Sequence, residues 1–146
     1  MRTALFAGSF DPFTIGHKDI ADRSLQLFDR LVIAIGVNQA KKGWMPADER
    51  VRSIAKLYAD NPRVEVTQFS DLTVRFARQI GARWLVRGVR TTADFEFERN
   101  LADANLLIDP EIETILLPAC PDLAVVSSSL VRELAAFGAP YEQFLP

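Results

Sequence analysis

The sequence predicts an α/β fold: a Rossmann-like, open five-stranded parallel sheet with helices on both faces. Three observations predict it. Short apolar runs of strand length alternate with longer stretches whose apolar residues recur at helical spacing. One run, Leu31 to Val37, is continuously apolar, as expected for a parallel strand covered on both faces. The 146 residues suit a single domain, 1–146, and strict alternation over that length builds crossover units.

Each element has a local reason. Thr3 to Ala7 forms the first strand and stops at Gly8. A helix follows from Gly16 to Phe28, with Ile20, Leu27 and Phe28 on one face and Asp29-Arg30 ending it. After the Leu31–Val37 strand, Pro46 opens a second helix, where its missing N–H is not needed, and Asp48 and Glu49 suit the positive helix start. Val51, Ile54, Ala55 and Tyr58 make its stripe, and Asn61-Pro62 stops it. Val64 to Phe69 reads as a strand, Leu72 to Ile80 as a helix capped by Gly81, and Trp84 to Val86 as a short strand. A long helix spans Thr92 to Ile108 and ends at Asp109-Pro110. Glu113 to Leu117 is the fifth strand, and Ser128 to Phe137 is a last helix before Gly138. Phe76, Phe95, Phe97 and Phe137 read as packing aromatics.

Composition narrows the function. Apolar residues are 49% and charged residues 25%, ordinary globular values that exclude disorder. Seventeen Lys and Arg against nineteen Asp and Glu leave a net charge of −2. With no basic helix face, that argues against a nucleic-acid-binding module. One cysteine excludes an internal disulfide or a multi-Cys zinc site and points to a reducing, cytoplasmic setting. Cys120 itself, without a basic neighbour, reads as structural. No apolar run approaches the ~20 residues of a membrane span, and the first residues are too short an apolar stretch for a secretory signal. His17 is the only histidine, so a two-His metal site is excluded and any imidazole chemistry must use it.

Open parallel sheets bind ligands at the carboxyl ends of their strands, which directs attention to residues 8–17, 38–43, 70–73, 87–90 and 118–129. Gly8-Ser9 offers a close backbone turn and a hydroxyl, and Gly16 sets His17 in the first turn of a helix, where free N–H groups attract anions. Arg87-Gly88-Val89-Arg90 pairs two guanidiniums about a glycine, a clamp for oxyanions. Lys41-Lys42 follows the second strand, and Ser127-Ser128-Ser129 pools hydroxyls and N–H groups at a helix start. Alone, each has a plainer reading: an exposed helix-start histidine, a solvated basic turn, a charged loop, an ordinary N-cap. Four phosphate-compatible segments at five strand ends point together to a phosphate-binding site.

The segments Gly8-Ser9-Phe10-Asp11-Pro12, Thr14-x-Gly16-His17, Arg87-Gly88-Val89-Arg90 and Ser127-Ser128-Ser129-Leu130-Val131-Arg132-Glu133 resemble those of bacterial phosphopantetheine adenylyltransferases. Lys41-Lys42, Phe69-Ser70-Asp71-Leu72 and Ala93-Asp94-Phe95-Glu96-Phe97-Glu98 are similar to that family in order and spacing, so the resemblance covers residues 4 to about 145. It implies adenylyl transfer from ATP to 4′-phosphopantetheine, giving dephospho-coenzyme A and pyrophosphate, by direct in-line attack of the acceptor phosphate on the α-phosphorus. The resemblance assigns catalysis to His17, Lys41 and Arg90, with His17 stabilising the transition state. It assigns phosphopantetheine to Ser9, Lys41, Thr73 and Arg87. ATP falls to Ser9, Phe10, His17, Gly88, Val89, Arg90, Glu98 and the run Leu123, Ala124, Val125, Val126, Ser127, Ser128 and Ser129. Mg²⁺ is expected on the phosphates rather than on protein ligands, coenzyme A as a feedback inhibitor, and a homohexamer as the assembly. The sequence departs from the family pattern at Ala7, where proline is usual, at Leu123, where an aromatic is common, and at Phe144-Leu145-Pro146, where a further short helix is often found.

Two other readings remain. A sister nucleotidyltransferase acting on nicotinate mononucleotide or a phospho-alcohol usually carries H-x-G-H, and Thr14 stands where that first histidine would be. A non-catalytic binder of ATP or coenzyme A would share the fold, but His17, Lys41, Arg87 and Arg90 are all intact.

Overall fold

A computed structural model describes residues 1–146 and shows five strands and five α-helices in alternation. They are β1 (Thr3–Gly8), α1 (Ile15–Leu27), β2 (Arg30–Gly36), α2 (Ala47–Leu57), β3 (Val64–Phe69), α3 (Thr73–Gln79), β4 (Trp84–Val89), α4 (Thr92–Ile108), β5 (Glu113–Pro118) and α5 (Ser128–Ala136). Short 3-10 turns occupy Pro121–Leu123 and Glu142–Phe144. The strand order is β3-β2-β1-β4-β5, with every neighbouring pair parallel. Gly81 and Gly138 follow their helices at φ 72° and 68°, the left-handed conformation that glycine adopts without a Cβ clash.

The period of two along each strand divides the core. Ala4 and Phe6 of β1, with Leu31, Ile33 and Ile35 of β2, face α1 and α2 through Ile20, Ala21, Leu25, Ile54 and Tyr58. Leu5, Ala7, Val32 and Ala34 face the other way, onto Val74 and Ala77 of α3 and onto Ile112. Residues 31–35 are all fully buried, which is why that run carries no polar side chain.

Register explains where the sheet opens. The β1–β2 pairing runs from Thr3 to Gly8, whereas β1 and β4 pair only at Ala4–Trp84 and Leu5–Leu85. Past Leu5 the two central strands therefore diverge, and a crevice forms at the point where strand order reverses.

Several sequence expectations change. The fourth strand does not stop at Val86; its pairing with β5 continues through Arg87–Leu116, Gly88–Leu117 and Val89–Pro118, so three residues of the basic segment lie in the strand. In α1 the buried face is Ile20, Ala21, Ser24 and Leu25, while Leu27, in the last turn, is 44% exposed. The α2 stripe of Val51, Ile54, Ala55 and Tyr58 does turn inward, but Arg50 is buried with it, and Pro46 is the N-cap residue ahead of the helix. Phe76 does pack, stacking on Phe69 at 4.6 Å. Phe97 and Phe137 are largely exposed and Phe95 about half so: the sheet covers one side of α4 and buries only Glu98 of that helix, while Phe137 lies at the C-cap of α5.

Candidate active site

The crevice between β1 and β4 holds a cleft of about 410 Å³. Gly8 enters from the end of β1, Ser9 and Phe10 from the loop after it, Gly16 and His17 from the start of α1, and Arg87 and Gly88 from β4. Arg90, Leu123, Val126 and the start of α5, with Ser127, Ser128, Ser129 and Arg132, close the far side. The N-termini of α1 and α5 converge there, since a Cβ on Gly16 would stand 3.7 Å from the Val126 carbonyl oxygen. Two helix starts with unpaired N–H groups and three arginines line the cleft, and no carboxylate does. Its field favours a polyanion.

His17 sits at the centre of this field. The Thr14 backbone N–H donates to His17 Nδ1 at 2.9 Å, and the Thr14 hydroxyl accepts from the His17 backbone N–H at 3.3 Å. This is a capping box in which histidine takes the place usually held by Glu or Gln. An Nδ1 that accepts requires the neutral tautomer with hydrogen on Nε2. Burial, with the nearby charges of Arg87 and Arg90, holds His17 down at about 4, so the ring is neutral at physiological pH. Its plane is fixed by Phe13, stacked at 5.4 Å, and by Phe10, edge-on at 5.0 Å. Phe10 holds a φ of 44°, uncommon for a residue with a side chain, and its ring occupies space that a Cβ on Gly8 would enter at 3.0 Å.

Arg87 spans two compartments. Its Nε and Nη2 donate to the Glu98 carboxylate at 2.9 and 2.7 Å, and its Nη1 donates to the Ala7 carbonyl oxygen. The contact with Ala7 fills the gap where β1 and β4 no longer pair. Three of the five guanidinium N–H groups are thereby used, leaving two for a ligand. Beyond Arg87 lies a smaller cavity of about 150 Å³ lined by Ala7, Thr73, Glu98, Leu101, Ala102 and Asn105, among others. Through Gly36, Phe69 and Thr73 it continues into an open groove of about 580 Å³ beside Asn38 and Asp71. One path therefore runs from a cationic cleft past Arg87 into a mixed apolar and polar channel, the shape of a site for two joined ligands.

The cytidylyltransferase-like family profile matches residues 5–134. A phosphopantetheine adenylyltransferase of Phocaeicola vulgatus is 50% identical over 146 residues, covering 100% of this chain and 96% of that protein. One from Porphyromonas gingivalis is 50% identical over 143 residues, covering 98% and 93%. The chain belongs to the phosphopantetheine adenylyltransferase family. The fold is shared more widely: a bifunctional NMN adenylyltransferase/ADP ribose pyrophosphatase from Francisella tularensis superposes at a TM-score of 0.76 with 16% identity, covering 99% of this chain and 44% of that one.

The cleft gathers Ser9, Phe10, His17, Gly88, Arg90, Leu123, Val126, Ser127, Ser128 and Ser129, with Arg87 at its edge. Other expected residues lie elsewhere. Val125 is 73% exposed, the Val89 carbonyl oxygen accepts from Ala119, and Ala124 meets the site only through its carbonyl, 3.4 Å from Arg90 Nη1. Glu98, expected beside the nucleotide, is buried on the opposite side of Arg87 and lines the smaller cavity with Thr73, because its carboxylate is taken by the guanidinium. Lys41 is exposed in the loop after β2 and lines none of the three cavities. Cys120 bonds to Asp19, which pushes its thiol up and keeps it protonated.

Three residues of the site escaped sequence reasoning. Arg132 lines the cleft and donates to the Asp11 carbonyl oxygen at 2.7 Å. Its signal was available, because it stands one helical turn after the serine cluster. Asp11 and Arg50 are buried behind Ser9; Asp11 reaches Trp44 and Met45 across 33 and 34 residues and Arg50 reaches Ser9 across 41, beyond any local pattern.

Proposed function

We infer that the protein transfers the adenylyl group of ATP to 4′-phosphopantetheine, giving dephospho-coenzyme A and pyrophosphate. The observation that carries this reading is the cleft at the β1–β4 switch point, where two helix starts and three arginines surround a neutral histidine. An oxygen of the acceptor phosphate attacks the α-phosphorus, a new P–O bond forms, and the bond to the β-phosphate oxygen breaks. The substrate supplies the nucleophile, so the protein's work is alignment and charge stabilisation. His17 Nε2–H donates to the α-phosphate oxygen as charge builds. Arg90 and the α5 start, Ser127 to Ser129, hold the β- and γ-phosphates. The two free N–H groups of Arg87, with Ser9 and Lys41, hold the acceptor phosphate, and Thr73 lies along the pantetheine arm.

The side-chain oxygens lining the cleft are hydroxyls of Ser9, Thr14 and Ser127 to Ser129, a set that suits Mg²⁺ arriving on the triphosphate with its own waters. Held there beside Ser127, Ser128 and Ser129, the ion would supply neutralisation of phosphate charge. Coenzyme A carries the same adenylyl and pantetheine groups as the product and competes for this path as a feedback inhibitor. No helix is long and apolar enough to cross a membrane, and an ATP-consuming reaction suits the cytoplasm. The assembly proposed is a homohexamer, supported by the uncovered apolar face of α4.

Pyrophosphate release from ATP and Mg²⁺ tests the reading. Release with 4′-phosphopantetheine and none with nicotinate mononucleotide is expected. The opposite pattern would keep the chemistry and change the acceptor, and ATP binding without release would leave a non-catalytic binder.

A further inference from the structure

We propose that Asp11 and Arg50 are a buried positioning pair that ties residues 38–45, the loop bearing Lys41, to the Ser9–Pro12 loop and so sets where the acceptor phosphate is held. The proposal rests on the reading of Lys41 as a ligand of that phosphate.

The geometry is a knot of backbone contacts. Asp11 Oδ2 accepts from the Trp44 backbone N–H at 2.7 Å, and Oδ1 accepts from that of Met45 at 2.9 Å. Arg50, whose Nε is 3.8 Å from Asp11 Oδ1, donates from Nε to the Met45 carbonyl oxygen at 2.9 Å and from Nη1 to the Ser9 carbonyl oxygen at 2.6 Å. Both residues are 8% exposed. A Cβ on Gly43 would lie 2.8 Å from Arg50 Nη2 and 2.9 Å from Asp11 Oδ2, so the chain passes this point only as glycine. From the other side, Arg132 donates to the Asp11 carbonyl oxygen and Ser128 to that of Pro12, both at 2.7 Å. The Ser9–Pro12 loop is thus held from α5 and from Arg50 together.

The exposed stretch from Asn38 to Gly43 leaves β2 at one end and is anchored at Trp44 and Met45 at the other. Releasing that second anchor leaves Lys41 on a loop fixed at one end. A buried ion pair is weak evidence for stability, since replacing it with apolar residues is often neutral. Backbone contacts to two separate loops, both beside the phosphate path, point instead to positioning.

The test is a double-mutant cycle on pyrophosphate release, with ATP and 4′-phosphopantetheine varied in turn, for Asp11→Asn, Lys41→Ala and the double variant. Asp11→Asn is expected to raise KM for 4′-phosphopantetheine roughly tenfold, the scale of a coupled pair, with KM for ATP within about twofold. In the Lys41→Ala background it is expected to add nothing. Gly43→Ala crowds the same contacts without removing a charge; it should show the same pattern and decides the matter if Asp11→Asn does not fold. Arg50→Lys, which keeps a charge but lacks the guanidinium fork, should lose less than Arg50→Ala. Losses that add fully to Lys41→Ala, or that strike both substrates equally, overturn the positioning role. A Lys41→Ala enzyme with unchanged kinetics overturns the reading of Lys41 itself, a different result from additivity.

Discussion

At the scale of one residue, His17 shows how placement decides chemistry. Imidazole ordinarily titrates near 6.5, and here burial with the Arg87 and Arg90 charges lowers it to about 4 while Thr14 N–H occupies Nδ1. A histidine with a depressed value takes up its proton later when folded than when unfolded. Stability therefore rises with pH from about 4 to 6.5 and is flat above that window. Because this is the only histidine, its ring carbon proton gives one unambiguous NMR signal. In the free enzyme that signal should titrate near 4 and stay flat between pH 6 and 8; a midpoint above 6 would contradict a neutral donor. His17→Ala should keep ATP binding and lose roughly 10²–10³-fold in kcat, the scale of one preorganised transition-state donor. The residue was legible as the sole candidate imidazole, but its tautomer was not. That depends on a backbone N–H three residues earlier and on Phe10 and Phe13 folding around the ring.

At the scale of elements, the site exists because β1 and β4 part company after Leu5. The order of strands and helices could be read from period and punctuation, and most boundaries fell within two residues. The end of β4 could not, because Arg87-Gly88-Val89 looks like a turn until β5 pairs beside it. Nor could the Arg87–Glu98 pair, whose partners sit on a strand and on the helix that follows it. Gly88 carries the close approach of strand to helix: a Cβ there would stand 3.0 Å from Ile20 Cγ1 and 3.3 Å from Cδ1. Ile20 is buried one turn after His17, so the side chain has little room to turn and the strain falls on α1. Gly88→Ala should cost about 1–3 kcal/mol, as overpacking of a filled core does. Urea unfolding measures that loss, and kcat should fall with it as His17 is displaced. A variant with unchanged stability and rate would mean that α1 adjusts without shifting the ring.

At the scale of the whole molecule, α4 presents a surface that one chain does not cover. Phe97 is 64%, Ile108 58% and Leu107 88% exposed, and Phe95, Leu101 and Leu106 of the same helix are exposed in part. Leaving such area in water forfeits about 25 cal/mol per Å², and contiguous patches of this kind mark interfaces. Sequence periodicity could not separate a face packed on its own sheet from one left exposed, and so the α4 aromatics read as packing. The same helix lines the smaller cavity through Glu98, Leu101, Ala102 and Asn105, so whatever covers its outer face also braces Arg87. Replacing Phe97 and Leu107 together with Asp should therefore do two things. For the proposed hexamer, light scattering should show the mass falling from six times the 16.3 kDa chain toward one or two copies. The dissociated variant should bind 4′-phosphopantetheine more weakly while largely keeping its affinity for ATP, because Arg87 is the one residue of the nucleotide cleft that α4 holds, the rest coming from β1, α1, α5 and the residues beside them. An unaltered protein that already runs as a single chain would refute the assembly. Equal loss of both ligands would place the interface nearer the cleft than α4 lies.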